Sequence, residues 1–270
     1  MIVRIVALVY VGLLLLLAGC QRGLIYYPSR ASEDRATAMA RADGMEPWRG
    51  NEGSVIGWRQ VDALDDAPPL LVFHGNAGQA SQRGYLAAVF RPEWRVYVME
   101  YPGYGPRSGR PNESAFYAAA SEAFDQLRQT YTGRPLFVGG ESLGTGVAAY
   151  LAGQYPNDVA GVLLITPFTS LVDVARSHYP IFPISLLMRD RYPSRKHLRS
   201  YSGPVAFIVA EHDEVVPARL GRQLYEEYHG PKRLWTQDGR DHNTLDYSPL
   251  SHWWVEARDF LTDHKNWTAE

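Results

Sequence analysis

The stretch FVGGESLGTGV, Phe137 to Val147, places Ser142 among four glycines directly after an apolar run. Glycine inside a strand or helix costs stability, so such a cluster indicates that the backbone needs room or an unusual dihedral angle. One interpretation is a tight turn or a phosphate-binding loop, and the other is a nucleophile held on a strained turn. The phosphate loop is disfavoured, because no Lys-Ser/Thr pair follows the glycines and no full dinucleotide-binding pattern is present.

The residues on either side of this stretch predict a strand that leads directly into a helix. RPLFVGG at 134–140 has the pattern of a strand, and LGTGVAAYLAGQ at 143–154 has the pattern of a helix. Ser142 therefore lies at a strand-to-helix turn. In that setting a Gly-x-Ser-x-Gly match indicates a nucleophile elbow, in which glycines two residues either side of the serine let strand and helix approach each other.

Short apolar runs alternate with helical patterns along the rest of the chain. The runs are rich in β-branched and aromatic residues, which is typical of strands covered on both faces of a parallel sheet. Strands are predicted at 69–75, 94–100, 134–140, 161–167, 204–210 and 232–237, and helices at 113–130, 217–229 and about 249–263. The last helix is expected to bury Leu250. The alternation predicts one α/β domain on a mostly parallel, doubly wound sheet, with an antiparallel pair near 45–49 and 54–60 at its edge.

The composition fits a globular protein and excludes some classes of function. The chain has 270 residues, of which 46% are apolar and 21% charged, and its formal net charge is −2. It contains no basic run or aromatic-basic stripe, so nucleic acid is not expected as a partner. It also has no His-x-x-x-His or clustered Cys/His pattern, so no metal site is predicted.

The N-terminus, MIVRIVALVYVGLLLLLAGC, has the pattern of a secretory signal. One early cation, Arg4, precedes an apolar run from Ile5 to Ala18. This run is shorter than the roughly 20 residues that cross a bilayer, which favours a signal peptide over residues 1–19. The alternative is an uncleaved N-terminal anchor.

The end of this segment, Leu17 to Cys20, resembles a bacterial lipobox, which implies that Cys20 is lipidated and becomes the first mature residue. By the same resemblance, Gln21 rather than Asp favours the outer membrane, at its periplasmic face, in a Gram-negative envelope. Residues 20–43 are then a lipidated tether and N-terminal segment, and 44–270 are the α/β domain. Cys20 is the only cysteine, so no intrachain disulfide can form.

A serine nucleophile needs a base, an acid that orients the base, and donors for the developing oxyanion. Asp213 follows the predicted strand at 204–210, and His242 follows the last predicted strand in a glycine-containing loop. This order, serine then acid then histidine, is the one that the elbow predicts. Asp241 and Asp238 are weaker candidates for the acid, since adjacent side chains in a loop generally diverge and Asp238 shares the histidine loop.

The oxyanion donors are predicted to be two backbone amides. One is the N–H of Leu143, supported by the positive end of the helix that follows Ser142. The other is the N–H of Asn76 in VFHGNAGQ, which follows an earlier strand. His74, just before the glycine of that loop, is interpreted as a residue that shapes the turn and not as the base.

From about Leu24 to the C-terminus the chain resembles the α/β-hydrolase family, in particular compact serine hydrolases such as protein depalmitoylases and lysophospholipase-like enzymes. The resemblance is carried, in order, by FHGNAG, YPGYGPRSGRPNE, GESLGTGVA, TPFTSL, EHDEVVP and DHNTL. It implies the α/β-hydrolase fold and hydrolysis through an acyl-enzyme at Ser142, with no cofactor. Arg107 stands where the family usually has a small residue, and it is expected to alter what enters the cleft.

Residues 168–200 lie where this fold inserts a short lid. Their apolar side chains are expected to line a cleft for an acyl chain, and the residues in question are Phe168, Tyr179, Ile181, Phe182, Ile184 and Leu187. The favoured function is therefore a serine hydrolase of carboxylic esters or thioesters, acting on small-molecule substrates with an acyl or lipid-like part. The alternatives are a serine peptidase of the same fold and a non-catalytic binding lipoprotein. The oligomeric state is left open.

Overall fold

A central eight-stranded sheet organises the computed structural model, which describes residues 1–263. The strands in chain order are β1 Met45–Arg49, β2 Val55–Gln60, β3 Pro69–Phe73, β4 Arg95–Met99, β5 Leu136–Glu141, β6 Val159–Ile165, β7 Val205–Ala210 and β8 Lys232–Gln237. Across the sheet they lie in the order β8-β7-β6-β5-β3-β4-β2-β1. Strand β2 runs in the direction opposite to the other seven strands, which gives antiparallel pairs with β1 and β4 and parallel pairs elsewhere. The predicted mostly parallel sheet and its antiparallel edge are confirmed; the last seven residues of the predicted domain lie outside the described part.

Helices cover both faces of the sheet. The helices in chain order are α1 Ile2–Ile25, which lies outside the core, α2 Glu33–Ala42, α3 Gly84–Phe90, α4 Glu113–Thr130, α5 Leu143–Gln154, α6 Leu171–His178, α7 Ile184–Leu187, α8 Ser194–Leu198, α9 Ala218–Glu227 and α10 His252–Thr262. Alternate residues of β3 belong to two separate cores, with Leu71 packed among residues of α4, α5 and α9 and Leu70 among residues of α2, α3 and α10. Period-two alternation thus divides one buried strand between two apolar layers.

The helix predictions hold for the elements, but one residue that was predicted to be buried is exposed. Helix α4 begins after Asn112, whose Oδ1 accepts the Ala115 N–H at 2.9 Å, as expected of an N-cap. Helix α10 begins only at His252, so Leu250 lies before it and is 93% exposed. The prediction that Leu250 is buried is wrong, because the helical stripe that faces the sheet starts at Trp254.

Helix α1 is apolar and lies outside the domain core. By length and composition it could cross a membrane, and a secretory signal near an N-terminus passes the same test. It extends beyond the apolar run read from the sequence and ends at Ile25. Length alone therefore does not separate a signal peptide from an anchor here.

The predicted tether, residues 20–43, packs against the domain over part of its length. Tyr26 is buried, and its hydroxyl donates to Asp190 Oδ2 at 3.1 Å. Two residues from Tyr27 form a short parallel bridge with Ala77–Gly78, and helix α2 buries Ala36 against the sheet. The segment holds the N-terminal side of the domain next to the loop that follows β3.

The predicted lid at 168–200 contains two kinds of structure. Its first part, through α6 and α7, lies beside Ser142 in the wall of a cavity. Its last part is core, since Tyr192 is fully buried and α8 packs on α5 at Gly153. The segment that covers the cavity is therefore shorter than predicted and ends before Tyr192.

Candidate active site

The backbone turn at Ser142 is strained in the way that its glycine neighbours require. Ser142 has φ 52° and ψ −119°, a conformation that L-residues rarely adopt. A side chain at Gly140 would overlap the backbone of Gly144, and one at Gly144 would overlap the carbonyl of Phe73. The glycines therefore let β5, α5 and β3 meet at one point. The Ser142 N–H donates to Ile165 O at 2.8 Å and fixes the turn to β6.

Asp213 and His242 form a buried pair at the carboxyl end of the sheet. His242 Nδ1 and Asp213 Oδ2 are 2.7 Å apart, and the two side chains are 14% and 1% exposed. The other oxygen of Asp213 accepts the Val216 N–H at 2.8 Å. These two bonds orient the carboxylate. The contact with Nδ1 in turn fixes the orientation of the imidazole ring and leaves Nε2 as the nitrogen that does not contact Asp213.

Backbone bonds join the loop of Asp213 to the loop of His242. His212 N–H donates to Arg240 O at 2.8 Å, and Gly239 N–H donates to Glu211 Oε2 at 2.8 Å. Asp241, the nearest competitor for the acid, instead accepts the Asn243 N–H at 2.8 Å, and this bond lowers the pKa of Asp241. Its carboxylate caps its own loop and does not bond to the imidazole.

Ser142 and His242 are not hydrogen-bonded to each other in the described structure. Ser142 itself is 8% exposed and lines the cavity between α5 and the lid. Hydrogen bonds between a nucleophile and its base are often long without substrate and tighten when it binds. The chemical roles of Ser142, Asp213 and His242 stay predictions.

The amides predicted for the oxyanion both belong to residues at the cavity. Asn76 and Leu143 line it together with Ser142, and neither amide donates a hydrogen bond within residues 1–263. Two tyrosines of the YPGYG motif hold the Asn76 loop. Tyr104 OH donates to Asn76 O at 2.7 Å and Tyr101 OH donates to His74 O at 2.8 Å.

His74 lies beneath this loop and is fully buried. Its Nδ1 is 2.7 Å from Gly75 O, and its Nε2 is 3.6 Å from Glu100 Oε1. Glu100 is also fully buried and accepts the Ala80 N–H at 3.0 Å. These contacts support the interpretation that His74 shapes the loop, because His74 is bonded within the loop and is not among the residues that line the cavity.

A polar cluster that the sequence does not reveal joins the three segments of the site, namely the elbow, the histidine loop and the oxyanion loop. In this group, called the Glu141 cluster, Glu141 accepts hydrogen bonds from Tyr85 at 2.9 Å and from Tyr247 at 2.6 Å. Burial raises the pKa of both tyrosines, so their hydroxyls stay protonated and donate. Arg83, its fourth member, donates to Tyr85 OH at 3.2 Å and also to Ala77 O.

The Glu141 cluster connects elements that are far apart in the chain. Glu141 precedes Ser142, Ala77 follows Asn76, and Tyr247 follows His242 by five residues. Glu141 thus ties the elbow to the histidine loop through Tyr247, and to the oxyanion loop through Tyr85 and then Arg83. The only sequence signal was a charged residue inside Gly-x-Ser-x-Gly, which gave no hint of its partners.

A cavity of about 720 Å³ extends from Ser142 beneath the lid. Five of the six predicted cleft residues line it, namely Phe168, Tyr179, Phe182, Ile184 and Leu187. Ile181 does not line it and is 75% exposed. Arg107 also lies elsewhere, because its guanidinium donates to Glu100 O and pairs with Glu122 on α4. The expectation that Arg107 alters entry to the cleft is therefore wrong.

Comparisons with known proteins agree with this architecture. A family model described as alpha/beta hydrolase fold matches residues 68–193. An uncharacterized protein of Mycobacterium tuberculosis is 36% identical over 247 residues, which cover 90% of this chain and 87% of that protein. The lysophosphatidylserine lipase ABHD12 of Rattus norvegicus is 30% identical over 199 residues, which cover 66% of this chain and half of the lipase.

Solved structures show the same fold at low sequence identity. The esterase Pf2001 of Pyrococcus furiosus superposes with a TM-score of 0.64 at 15% identity, covering 90% of this chain and all of that one. A monoacylglycerol lipase of Paleococcus ferrophilus superposes with a TM-score of 0.55 at 18% identity, covering 76% of this chain and 96% of that one.

Proposed function

We propose, since the chain belongs to the α/β-hydrolase family, that it is a serine hydrolase that cleaves carboxylic esters or thioesters of acyl substrates. The observation that carries this proposal is a cavity that begins at a strained, glycine-flanked serine and is apolar over most of its wall. An apolar cavity with a few polar groups at one end suits a substrate with one reactive group and a long hydrocarbon part.

The proposed mechanism uses the groups already described. Ser142 Oγ attacks the acyl carbonyl while His242 Nε2 takes its proton, and Asp213 stabilises the resulting imidazolium. The tetrahedral oxyanion accepts hydrogen bonds from the amides of Asn76 and Leu143. The imidazolium then gives its proton to the leaving alcohol or thiol, and water releases the acyl group from Ser142 by the same steps. A single oxyanion donor is typically worth about 3 kcal/mol of transition-state stabilisation.

The relatives support an ester of a lipid as the substrate. The related ABHD12 proteins are named lysophosphatidylserine lipases, and the chain spans half the length of the rat protein. The cavity walls agree with this class, because they are mostly apolar, as at Phe168, Phe182 and Leu187, and Glu214 is the one carboxylate among the residues that line them. The substrate class proposed for this chain is therefore an acyl ester whose hydrocarbon chain fits an apolar cavity.

A peptidase would need a charged group in the cavity to recognise a peptide terminus. Glu141 is engaged by Tyr85 and Tyr247, and Glu211 accepts the Gly239 N–H. Glu214 lines the cavity, and it is the one of these three carboxylates that faces it. Measurements on amides beside esters, described below, test this alternative.

The proposed location is the cell envelope, with the N-terminal segment as a membrane attachment. Cys20 is exposed, as a lipidation site requires, and lies within α1, whose residues before it are mostly apolar. We propose that Cys20 carries lipid and that the enzyme faces the periplasm from the outer membrane, if the cell is Gram-negative. Several acyl chains would anchor it firmly, since each buried methylene contributes about 0.8 kcal/mol.

A series of p-nitrophenyl esters from acetate to octanoate tests the acyl preference. We expect kcat/KM to rise at least tenfold across the series, because each added methylene that enters the cavity gains up to about 0.8 kcal/mol. Aminoacyl p-nitroanilides, measured beside the esters, should be hydrolysed far more slowly. Replacing Ala175, a small residue in the cavity wall, by tryptophan should lower the octanoate-to-acetate ratio. A flat series, or faster cleavage of the anilides, would refute the acyl-ester proposal.

The Glu141 cluster gives a second prediction, in which Tyr247 acts as a positioning residue. Tyr247→Phe removes the 2.6 Å bond that holds the histidine loop, so we expect kcat to fall about tenfold with KM nearly unchanged. Glu141→Gln should behave similarly, and the double variant should lose less than the sum, because both changes break one interaction.

Tyr155→Phe is the matched control for this cluster. It also removes a tyrosine–carboxylate bond, to Asp125 at 3.2 Å, but that bond is remote from the cavity. Its kcat should stay within twofold of the wild-type value. If Tyr247→Phe changes kcat no more than Tyr155→Phe does, the Glu141 cluster does not position the site.

A further inference from the structure

The lid carries two large aliphatic side chains that face solvent and not the cavity. Ile181 is 75% exposed and Leu186 is 85% exposed, and we call these two residues the lid tip. Their sequence neighbours Phe182 and Leu187 point the other way and line the cavity. The lid is therefore apolar on both of its sides, although only the inner side is needed to enclose an acyl chain.

Helix α1 contacts the lid and also lines the cavity, through Leu13, Leu17 and Leu24. Tyr10 OH donates to Ile181 O at 3.0 Å, and the Tyr10 ring stacks on Phe182 with centroids 6.1 Å apart. Eleven residues later, Gln21 donates to Leu187 O at 3.1 Å and accepts the Arg189 N–H at 2.7 Å. The bond to Ile181 O brings this apolar helix, most of whose residues are exposed, next to the lid tip.

We propose that the lid tip docks on the lipid bilayer to which the N-terminal segment is attached. The mouth of the cavity then opens against the membrane, and a substrate's acyl chain passes from the bilayer to Ser142 without crossing water. This inference rests on the proposed function for the identity of the substrate, but the docking of the lid tip does not depend on it.

Two observations favour a bilayer over another occupant. The first is the position of the membrane attachment. Cys20 directly precedes Gln21, which is hydrogen-bonded to Leu187 and Arg189 of the lid, so lipid would lie beside the lid whether α1 is retained or cleaved. An intact α1 would bring the membrane there as an anchor, and a lipidated Cys20 would bring it there through acyl chains. The second is that the exposed Arg189 flanks the aliphatic lid tip, and this pairing suits the boundary between lipid headgroups and acyl chains.

Fluorescence quenching by lipids tests the docking directly. The full chain carrying Ile181→Cys or Leu186→Cys is labelled with an environment-sensitive fluorophore and reconstituted in phosphatidylethanolamine–phosphatidylglycerol vesicles with brominated acyl chains. Asn157→Cys is the control, because it lies in the exposed loop before β6, at the opposite edge of the sheet from Ser142. The unsubstituted chain corrects for label on Cys20. We expect strong quenching at 181 and 186 and none at 157.

The double variant Ile181→Ser, Leu186→Ser tests the consequence for turnover. On p-nitrophenyl palmitate held in the same vesicles, we expect at least a tenfold loss of rate. On soluble p-nitrophenyl butyrate, the rate should stay within twofold, because neither residue lines the cavity.

The two arms separate failure of the docking from failure of the proposed function. Equal quenching at 157, 181 and 186 would overturn the docking, as would an unchanged rate on vesicle-borne ester. Signal changes at 181 that depend on protein concentration and not on lipid would overturn it too, in favour of a second copy of the chain. Absence of any ester hydrolysis by the wild-type chain would refute the proposed function, while quenching would still support the docking.

Discussion

Replacing Ser142 by alanine is expected to lower kcat for p-nitrophenyl butyrate by roughly six orders of magnitude, as loss of the nucleophile does in other serine hydrolases. This corresponds to about 8 kcal/mol of activation free energy. The loss should be chemical and not structural. Ser142 makes no side-chain hydrogen bond in the described residues, and alanine meets the same backbone strain at φ 52°.

Ser194→Ala is the matched control for this change. Ser194 is fully buried and its hydroxyl has no hydrogen-bond partner in the described residues, so its removal should cost little stability. Both variants should unfold within a few degrees of the wild-type temperature, and only Ser142→Ala should lose activity. Retention of more than a hundredth of the wild-type rate by folded Ser142→Ala would show that another group is the nucleophile.

Replacing Asp213 by asparagine is expected to lower kcat about ten-thousand-fold. Asparagine can still accept the Val216 N–H, but its amide cannot stabilise an imidazolium, and its NH₂ group facing Nδ1 favours the wrong tautomer of His242. The elbow and the cavity are untouched by this change, so KM for the same ester should change little.

Asp238→Asn provides the comparison for Asp213→Asn. Asp238 lies on the histidine loop and is exposed, and the sequence makes it a weaker candidate for the catalytic acid. Its replacement should leave kcat within twofold. Equal losses in the two variants would mean that the carboxylate of Asp213 has no special role beside His242.

Much of the site could be predicted from the sequence because its signals are local. Ser142 is marked by glycines on both sides and by a strand and helix around it, and the structure shows why, since side chains at Gly140 and Gly144 would overlap backbone. Asp213 and His242 each follow an apolar run in a short loop. The parallel sheet brings the carboxyl ends of those runs to one edge, which is a consequence of topology and not of sequence distance.

The features that were missed depend on the direction of a side chain or on contacts across the chain. Tyr85, Glu141 and Tyr247 form one cluster, yet nothing local relates three residues so far apart. Ile181 and Phe182 are both apolar, and only the turn of the lid decides which one faces the cavity. Composition alone could not make that distinction, and the same is true of Leu250 at the start of α10.

Every step of the proposed mechanism requires Ser142 to be the nucleophile. Covalent labelling tests this requirement most directly. The folded protein is treated with a fluorophosphonate, digested, and analysed by mass spectrometry. We predict one stoichiometric adduct on the peptide that contains Ser142, absent from Ser142→Ala and greatly slowed in Asp213→Asn. A stoichiometric adduct on any other residue, or no adduct on folded wild-type protein, would contradict the account.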